Sequence, residues 1–245
     1  MHIGIGIGVD RQSSNGGASS AIASSSPPIW YREDVALTPS SGTLTDWDNQ
    51  GSLGGDVVPG GSPPTNGATG VVFTDGEPNM STDETLGAAV SASAWTCAIV
   101  ANPVSHTSTA AAAYARPSFT VDDGGYWGVH VKSGGGSDVT VTVHQWDTGS
   151  KTCSLSFPEN VRRVILAWYD GVNINLTVDG VGTATPTAAA SLGSVAGVLR
   201  LGDRLTGVTA GTYENRLEEI AIWNTTLSSS DRAAVIAELK ARHGL

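Results

Sequence analysis

One stretch of the sequence unites the side chains that sugar binding requires. Asp122-Asp123-Gly124-Gly125-Tyr126-Trp127 places two acids and two large rings around a pair of glycines. An aromatic ring offers a flat apolar face to a sugar, and carboxylates accept hydrogen bonds from its hydroxyl groups. The stretch therefore predicts a glycan-binding site formed by Asp122, Asp123, Tyr126 and Trp127. Adjacent residues of a strand point to opposite faces, so a packing role for Trp127 is the alternative.

The acidic pairs of the chain lack the spacing expected of a hydrolytic site. A glycosidase needs two carboxyl groups that face each other across a cleft. Glu218 and Glu219 are adjacent, so within a strand we expect them to point to opposite faces. Asp46 and Asp48 alternate, but they flank Trp47 at a turn-like position. The sequence has no G-x-S-x-G motif and no evident nucleophile beside its histidines. We therefore expect that the protein is not an enzyme.

The charge of the chain argues against two classes of partner. Its formal net charge is -10 at pH 7, and no basic stripe is present that could neutralise phosphates. We therefore expect no nucleic-acid partner and no attraction to anionic membranes. No run of about eighteen apolar residues occurs, so no membrane insertion is expected. The first ten residues also lack the basic start and the long apolar stretch of a secretion signal.

The two cysteines, Cys97 and Cys153, lie in separate strand-like runs. Two cysteines do not make a disulfide framework, and no Cys/His cluster with zinc spacing accompanies them. We expect both to be buried thiols that pack as small apolar side chains. A bridge between adjacent strands in an oxidising medium is the alternative.

Residues 1–27 differ in composition from the rest of the chain and are predicted to form an extended, flexible attachment arm. Alternation with glycine would place four apolar side chains on one side of a strand: Ile3, Ile5, Ile7 and Val9. Residues 12–26 are then rich in serine, glycine and alanine, as flexible linkers are. An isolated strand of this kind needs a host sheet, so the arm suits assembly by strand addition. The alternative is an ordinary first strand followed by a long loop.

Residues 28–245 are predicted to form one β-rich domain. Asp170-Gly171 and Asp179-Gly180 are hairpin turns in which glycine supplies the positive φ. Residues 93–101 form a nearly continuous apolar run, typical of a strand buried on both faces. In total we expect about twelve short strands in two packed antiparallel sheets. Near the end of the chain, Ser228 and Gly244 have the positions of the caps of one helix, which we expect to pack across a sheet edge.

Several motifs succeed one another along this domain. They are Ile29-Trp30-Tyr31, Asp46-Trp47-Asp48-Asn49-Gln50-Gly51, Val71-Val72-Phe73-Thr74-Asp75-Gly76, the hairpin of residues 168–180, and residues 218–224 followed by the helix. Their order resembles that of laminin-G-like domains of the concanavalin A-like class, which are common in bacteriophage structural proteins and bacterial surface proteins. The resemblance implies an all-β fold, a two-sheet antiparallel jelly-roll sandwich with one short C-terminal helix and an extended N-terminal arm.

The resemblance also bears on cofactors. Laminin-G-like domains often hold one calcium ion at the rim of a sheet, by aspartate and backbone oxygens. Turn-located aspartates are the candidates here, namely Asp122, Asp123 and Asp203, with Asp75 as a further one. An ordinary role in turns is the alternative for each. No other cofactor is expected.

Together the arm and the resemblance predict a virion structural protein, of the capsid-decoration, neck or tail type, in a bacteriophage. The arm would bind other virion proteins, and the body would be displayed as a homo-oligomer within the particle, where it could hold host surface glycans. The alternative function is a cell-surface carbohydrate-binding module or adhesin.

Overall fold

The structure is a computed structural model. It describes residues 20–33, 37–40, 42–59, 63–67, 70–74, 80–82, 93–106, 112–113, 118–119, 126–135, 137–146, 149–192, 199–201 and 213–245. The arm residues Ile3, Ile5, Ile7 and Val9 lie outside these ranges.

Within the described residues the chain forms nineteen strands and two helices. In chain order they are α1 (Ala21–Ser24), β1 (Ile29–Arg32), β2 (Leu37–Ser40), β3 (Thr43–Trp47), β4 (Val57–Pro59), β5 (Thr65–Asn66), β6 (Val71–Thr74), β7 (Met80–Thr82), β8 (Trp95–His106), β9 (Ala112–Ala113), β10 (Ser118–Phe119), β11 (Tyr126–Gly135), β12 (Asp138–Trp146), β13 (Ser150–Pro158), β14 (Arg163–Tyr169), β15 (Asn173–Val178), β16 (Gly182–Thr183), β17 (Thr187–Ala188), β18 (Leu199–Leu201), β19 (Tyr213–Trp223) and α2 (Ser229–His243).

The strands form two antiparallel sheets. The smaller sheet has the order β13-β12-β11-β9, and its long pairings run without a break from Val139 to Trp146. The larger sheet is centred on β19, β8, β14 and β15, and β1 also pairs with β19. The predicted hairpin at Asp170-Gly171 joins β14 to β15, with Gly171 at a φ of 94°. The prediction of an all-β, two-sheet antiparallel sandwich with a C-terminal helix is therefore confirmed.

The main core lies between the two sheets. Alternate residues of β12 face it, namely Val139, Val141 and Val143, as the period of two along a strand requires. The strand β8 contributes to two cores, because Cys97 and Ile99 face the smaller sheet while Ala98 and Val100 face the helices. The prediction that this run is buried on both faces is confirmed. Cys97 and Cys153 are both buried and unbridged, and burial raises the pKa of each thiol.

The helix α2 lies on the face of the larger sheet and not across its edge, which corrects the expected position. Val235 and Leu239 pack on Val100 and Val164, since the outward residues of β8 and β14 are apolar and need a cover. The predicted caps are confirmed. The Ser228 hydroxyl accepts a hydrogen bond from the Asp231 N–H, and Gly244 takes the left-handed conformation at the C-terminus. No helix within the described ranges is both long and apolar enough to cross a membrane.

The last residues of the segment 1–27 are packed on the domain. Ile22 of α1 is fully buried in the core beneath α2, and Pro27 is buried as well. The Glu238 carboxylate of α2 accepts hydrogen bonds from the Ser20 hydroxyl at 2.6 Å and from the Ile22 N–H at 3.0 Å. Residues from Ser20 onward in this segment are therefore attached to the domain, and the arm prediction for the residues before Ser20 stays a prediction.

Candidate functional site

A cleft of about 230 Å³ opens where the segment around α1 meets the loop after β3. Ala23, Pro27 and Trp30 supply its apolar part. Its polar part consists of side chains on both sides of the opening, namely Ser26, Gln50 and Ser52. We call this feature the Trp30 cleft. Its volume lies below the roughly 300–1,000 Å³ of pockets for drug-sized ligands, so it suits one ring of a larger ligand.

Asn49 fixes the loop that forms one wall of the Trp30 cleft. Its side-chain oxygen accepts hydrogen bonds from the Trp30 and Gly51 N–H groups, both at 2.8 Å. Its amide group donates to the carbonyls of Pro28 at 3.1 Å and Gly54 at 2.7 Å. Because a single side chain ties together four backbone positions, the wall is preorganised and little ordering remains for a ligand to impose.

Gly51 completes this wall by close approach. A Cβ atom at this position would lie 2.4 Å from the Pro28 carbonyl oxygen and 2.7 Å from that of Pro27, so only glycine fits. The neighbouring N–H groups of Gln50 and Ser52 donate to the carbonyls of Trp30 and Pro27, at 2.7 and 3.1 Å. These bonds hold the loop against β1. The conformation of this loop therefore explains why asparagine and glycine occur at positions 49 and 51.

Trp30 is held from its far side. It is 9% exposed, and its indole N–H donates to the Glu219 carboxylate at 2.7 Å. The guanidinium groups of Arg32 and Arg242 lie 5.2 and 5.6 Å from the ring centroid, within the range of cation–π contacts. Trp30, which helps to line the cleft, is therefore held rigidly. A fixed aromatic edge beside an amide and two hydroxyls can pack on a sugar ring and exchange hydrogen bonds with its hydroxyl groups.

Behind Trp30, Glu218 and Glu219 both contact His243, the last residue of α2. The His243 Nδ1 atom lies 3.0 Å from a Glu218 oxygen, and Nε2 lies 2.8 Å from a Glu219 oxygen. The expectation that the two glutamates point to opposite faces is wrong. The pairing of β19 with β8 shifts register between Leu217 and Glu219, so Glu218 is an extra residue. Such a bulge lets Leu217 and Ile220 both face the core while both glutamates face the helix.

Two arginines complete this cluster. Arg162 pairs with Glu218 at 3.2 Å, and Arg242 pairs with Glu219 and Glu238. Burial raises the pKa of Glu219, but the hydrogen bond from His243 and the charge of Arg242 outweigh it and hold that pKa below its usual value. Burial also lowers the pKa of His243, whereas the bonds to both glutamates raise it to about 9. The carboxylates are therefore engaged in buried ion pairs and do not face each other across open space.

A second acidic cluster lies beside the loop that carries Asn49. Asp46, Asp48 and Asp56 each place a carboxylate oxygen within 4.8 Å of the others. Burial and the negative charges of Asp56 and Asp48 raise the pKa of Asp46. Carboxylate oxygens are the donors that Ca²⁺ accepts, but Ca²⁺ needs six to eight oxygens, so backbone or water would have to supply the rest.

The predicted sugar-binding residues are not brought together within the described part of the chain. Trp127 is fully buried and stacks on Trp95, with ring centroids 4.0 Å apart and planes at 6°. Trp127 therefore packs in the core, which was the alternative to a sugar-binding role. Tyr126 begins β11, opposite Trp146, and its side chain lies outside the described atoms. The described residues also do not include Asp122, Asp123, Asp203 and Asp75, so the calcium prediction at these positions stays a prediction.

Sequence reasoning missed the Trp30 cleft. Trp30 and Gln50 are well separated in sequence, and Ala23 lies in the segment predicted to be a free arm. The signal that could have found it is the Asp46–Gly51 motif, whose Asn49 and Gly51 hold the loop against β1.

The fold defines a class, that of two-sheet antiparallel β-sandwich domains. No protein-family model matches the sequence, and no curated protein sequence does either. Solved structures do match. One, described as "Cell entry of botulinum neurotoxin type C is dependent upon interaction with two ganglioside molecules", has a TM-score of 0.64 and 10% identity, covering 90% of this chain and 53% of that one.

Two further structures are binding domains of botulinum neurotoxin DC. The one in complex with SialylT has a TM-score of 0.61 at 10% identity, covering 88% of this chain and 51% of that one. The one in complex with rat synaptotagmin II has a TM-score of 0.58 at 10% identity, covering 91% and 52%. The chain spans about half the length of these structures. At this identity the likeness establishes the fold alone.

Proposed function

We propose that this protein is a carbohydrate-binding domain and that the Trp30 cleft holds one sugar ring. The observation that carries the proposal is the cleft itself, in which a rigid aromatic edge lies beside Gln50, Ser26 and Ser52 on a preorganised loop. Binding sites of this kind combine apolar walls with a few placed polar groups. The similar toxin structures support this class of ligand, since one is described in complex with SialylT and another by interaction with two ganglioside molecules, although this chain covers only about half of each.

We further propose that the domain binds without catalysis. Glu218 and Glu219 lie behind Trp30, and each carboxylate is tied to His243 and to an arginine. A glycosidase acid must deliver a proton to its substrate, and its partner must reach a water or the sugar. Neither buried glutamate meets this requirement in the observed geometry.

The virion role is not the function that these observations favour. Its anchoring residues precede Ser20, outside the described ranges, and the similar structures are binding domains of a botulinum neurotoxin. Attachment to a particle, homo-oligomer formation and location in a virion stay predictions. Deletion of residues 1–19 tests them, since the packed residues 20–27 would be kept.

The proposed function is tested with the full chain on a glycan array, followed by calorimetric titration with the best glycan. The Gln50→Ala/Ser52→Ala double variant removes two side chains of the cleft without touching the core. Two lost hydrogen bonds at about 1 kcal/mol each predict a roughly thirtyfold weaker affinity. Thr185→Ala is the matched control, because Thr185 is exposed and is not among the residues that line the cleft. Absence of glycan binding, or equal affinity in the double variant and the control, would refute the proposal.

A further inference from the structure

We infer that Glu33, Glu218 and His243 form a binding site for a divalent transition-metal ion of the zinc type. One ligand atom from each of these residues lies within 4.8 Å of the other two. The three come from distant parts of the sequence, namely the residue after β1, the bulge of β19 and the end of α2. This site is separate from the Trp30 cleft and goes beyond the proposed function.

The second observation is an unsatisfied oxygen. Glu218 is fully buried, and its Oε1 atom has no hydrogen-bond partner among the described residues, although its Oε2 atom has two. Leaving a buried charged oxygen without a partner is costly, so such atoms need an explanation. A cation coordinated by the Glu218 carboxylate, with Oε1 among the bound atoms, would supply the missing interaction.

The spacing of the donors suits a tetrahedral zinc ion. Bonds of about 2.0–2.1 Å at tetrahedral angles separate two ligand atoms by roughly 3.3 Å. The Nδ1 atom of His243 lies 3.0 Å from Glu218 Oε2 and 3.9 Å from Glu33 Oε1. These two nitrogen–oxygen separations therefore differ from this value by a few tenths of an ångström, and one carboxylate oxygen of Glu33 lies within 4.8 Å of one of Glu218. The Glu33 side chain is 22% exposed, which leaves a side of the site open to water as a fourth ligand.

The surroundings hold the imidazole in the orientation that a metal requires. Nε2 of His243 is 2.8 Å from the Glu219 carboxylate, which is itself fixed by the Trp30 indole N–H and by Arg242. A histidine that ligates through one nitrogen commonly donates from the other to a carboxylate. In addition, the Glu33 N–H donates to the Glu218 carbonyl at 2.9 Å, which keeps the two ligands side by side.

The donor set selects the type of ion. One imidazole nitrogen with two carboxylate oxygens suits zinc and neighbouring transition metals, whereas Ca²⁺ requires six to eight oxygens. On binding, the ion replaces the hydrogen bond between Nδ1 and Glu218. Any proton on Nδ1 is released to solvent, and the bond from Nε2 to Glu219 is kept.

The test uses the full chain, stripped with EDTA, dialysed against Zn²⁺ and then desalted, with bound zinc measured by mass spectrometry. The expected result is one zinc ion per chain that is lost in Glu33→Gln, a change that keeps the side-chain shape at a partly exposed position. His243→Gln is the second variant. Glu238→Gln is the matched control, because this carboxylate belongs to the same ion-pair network but offers no ligand to the site.

Replacement of zinc by Co²⁺ provides a second measurement, because coordination by His243 gives a visible absorption that Glu33→Gln should change. Glu219→Gln should weaken zinc binding by about 10–100-fold, since it removes the partner of Nε2. The inference is overturned if the wild-type chain retains no zinc, if Glu33→Gln and His243→Gln retain as much as the wild type, or if Glu238→Gln loses it equally. A rise in melting temperature with Ca²⁺ as large as that with Zn²⁺ would also overturn it.

Discussion

Replacing Trp127 distinguishes a core residue from a sugar ligand. Trp127 is fully buried, so truncation to alanine should cost about 3–5 kcal/mol in free energy of unfolding. The parallel stack on Trp95, at 4.0 Å, should contribute about 0.5–1.5 kcal/mol of this beyond the buried area. A domain whose stability exceeds about 7 kcal/mol, within the usual range, would remain mostly folded at room temperature after such a loss.

The assay is equilibrium unfolding in urea, followed by far-ultraviolet circular dichroism because tryptophan fluorescence would change with the substitution itself. The Trp95→Ala and Trp127→Ala variants and their double variant form a cycle that isolates the coupling of the two rings. We expect a coupling of about 1 kcal/mol and no change in glycan affinity of the folded protein. A cost below about 1 kcal/mol, combined with lost glycan binding, would show that Trp127 acts at the surface and would refute this reasoning.

Three further predictions concern local structure. Gly51→Ala should destabilise the domain by about 1–3 kcal/mol, because the added Cβ would lie 2.4 Å from the Pro28 carbonyl oxygen. The measurement is thermal unfolding, and Gly149→Ala is the control because a Cβ at that position would meet open space. Ser228→Ala should cost about 1 kcal/mol through loss of the N-cap of α2, measured by urea unfolding, and an unchanged midpoint would contradict this. Partial burial raises the pKa of Asp170, but hydrogen bonds from two backbone N–H groups and a side chain outweigh burial and hold this pKa below its ordinary value. The charged carboxylate therefore stabilises the fold at every pH above the ordinary pKa of aspartate. This stabilisation is lost as the pH falls through the lower pKa of the folded state. The stability difference between wild type and Asp170→Asn should therefore be constant near neutral pH and shrink in acid, and a pH-independent difference would contradict the assignment.

The sequence predicted the fold correctly where the local residue pattern matched the burial of the same residues. The continuous apolar run in β8 predicted burial on both faces, and the structure supplies a core on each side. Ser228 and Gly244 predicted both ends of α2, because the unpaired backbone groups at helix ends favour particular capping residues. The Asp170-Gly171 turn predicted the β14–β15 hairpin for a similarly local reason.

The remaining features depended on contacts between elements, which the residue pattern of a single strand does not reveal. Alternation predicts opposite faces for Glu218 and Glu219, and one extra residue at the bulge cancels that prediction. The position of α2 depended on which sheet face had to be covered, a tertiary property of β8 and β14 together. The Trp30 cleft likewise required the segment around α1 to pack against the domain, although its composition is that of a linker.

The anchoring of Ser20 and Ile22 by Glu238 has a mechanical consequence. Ser20 lies next to α2, and two residues shortly after it, Ala23 and Pro27, border the Trp30 cleft. A pull applied at Ser20 would therefore be transmitted first to the Glu238 carboxylate and then to one wall of the cleft. If the cleft holds a sugar ring as proposed, the affinity for that ring would depend on the force applied at Ser20.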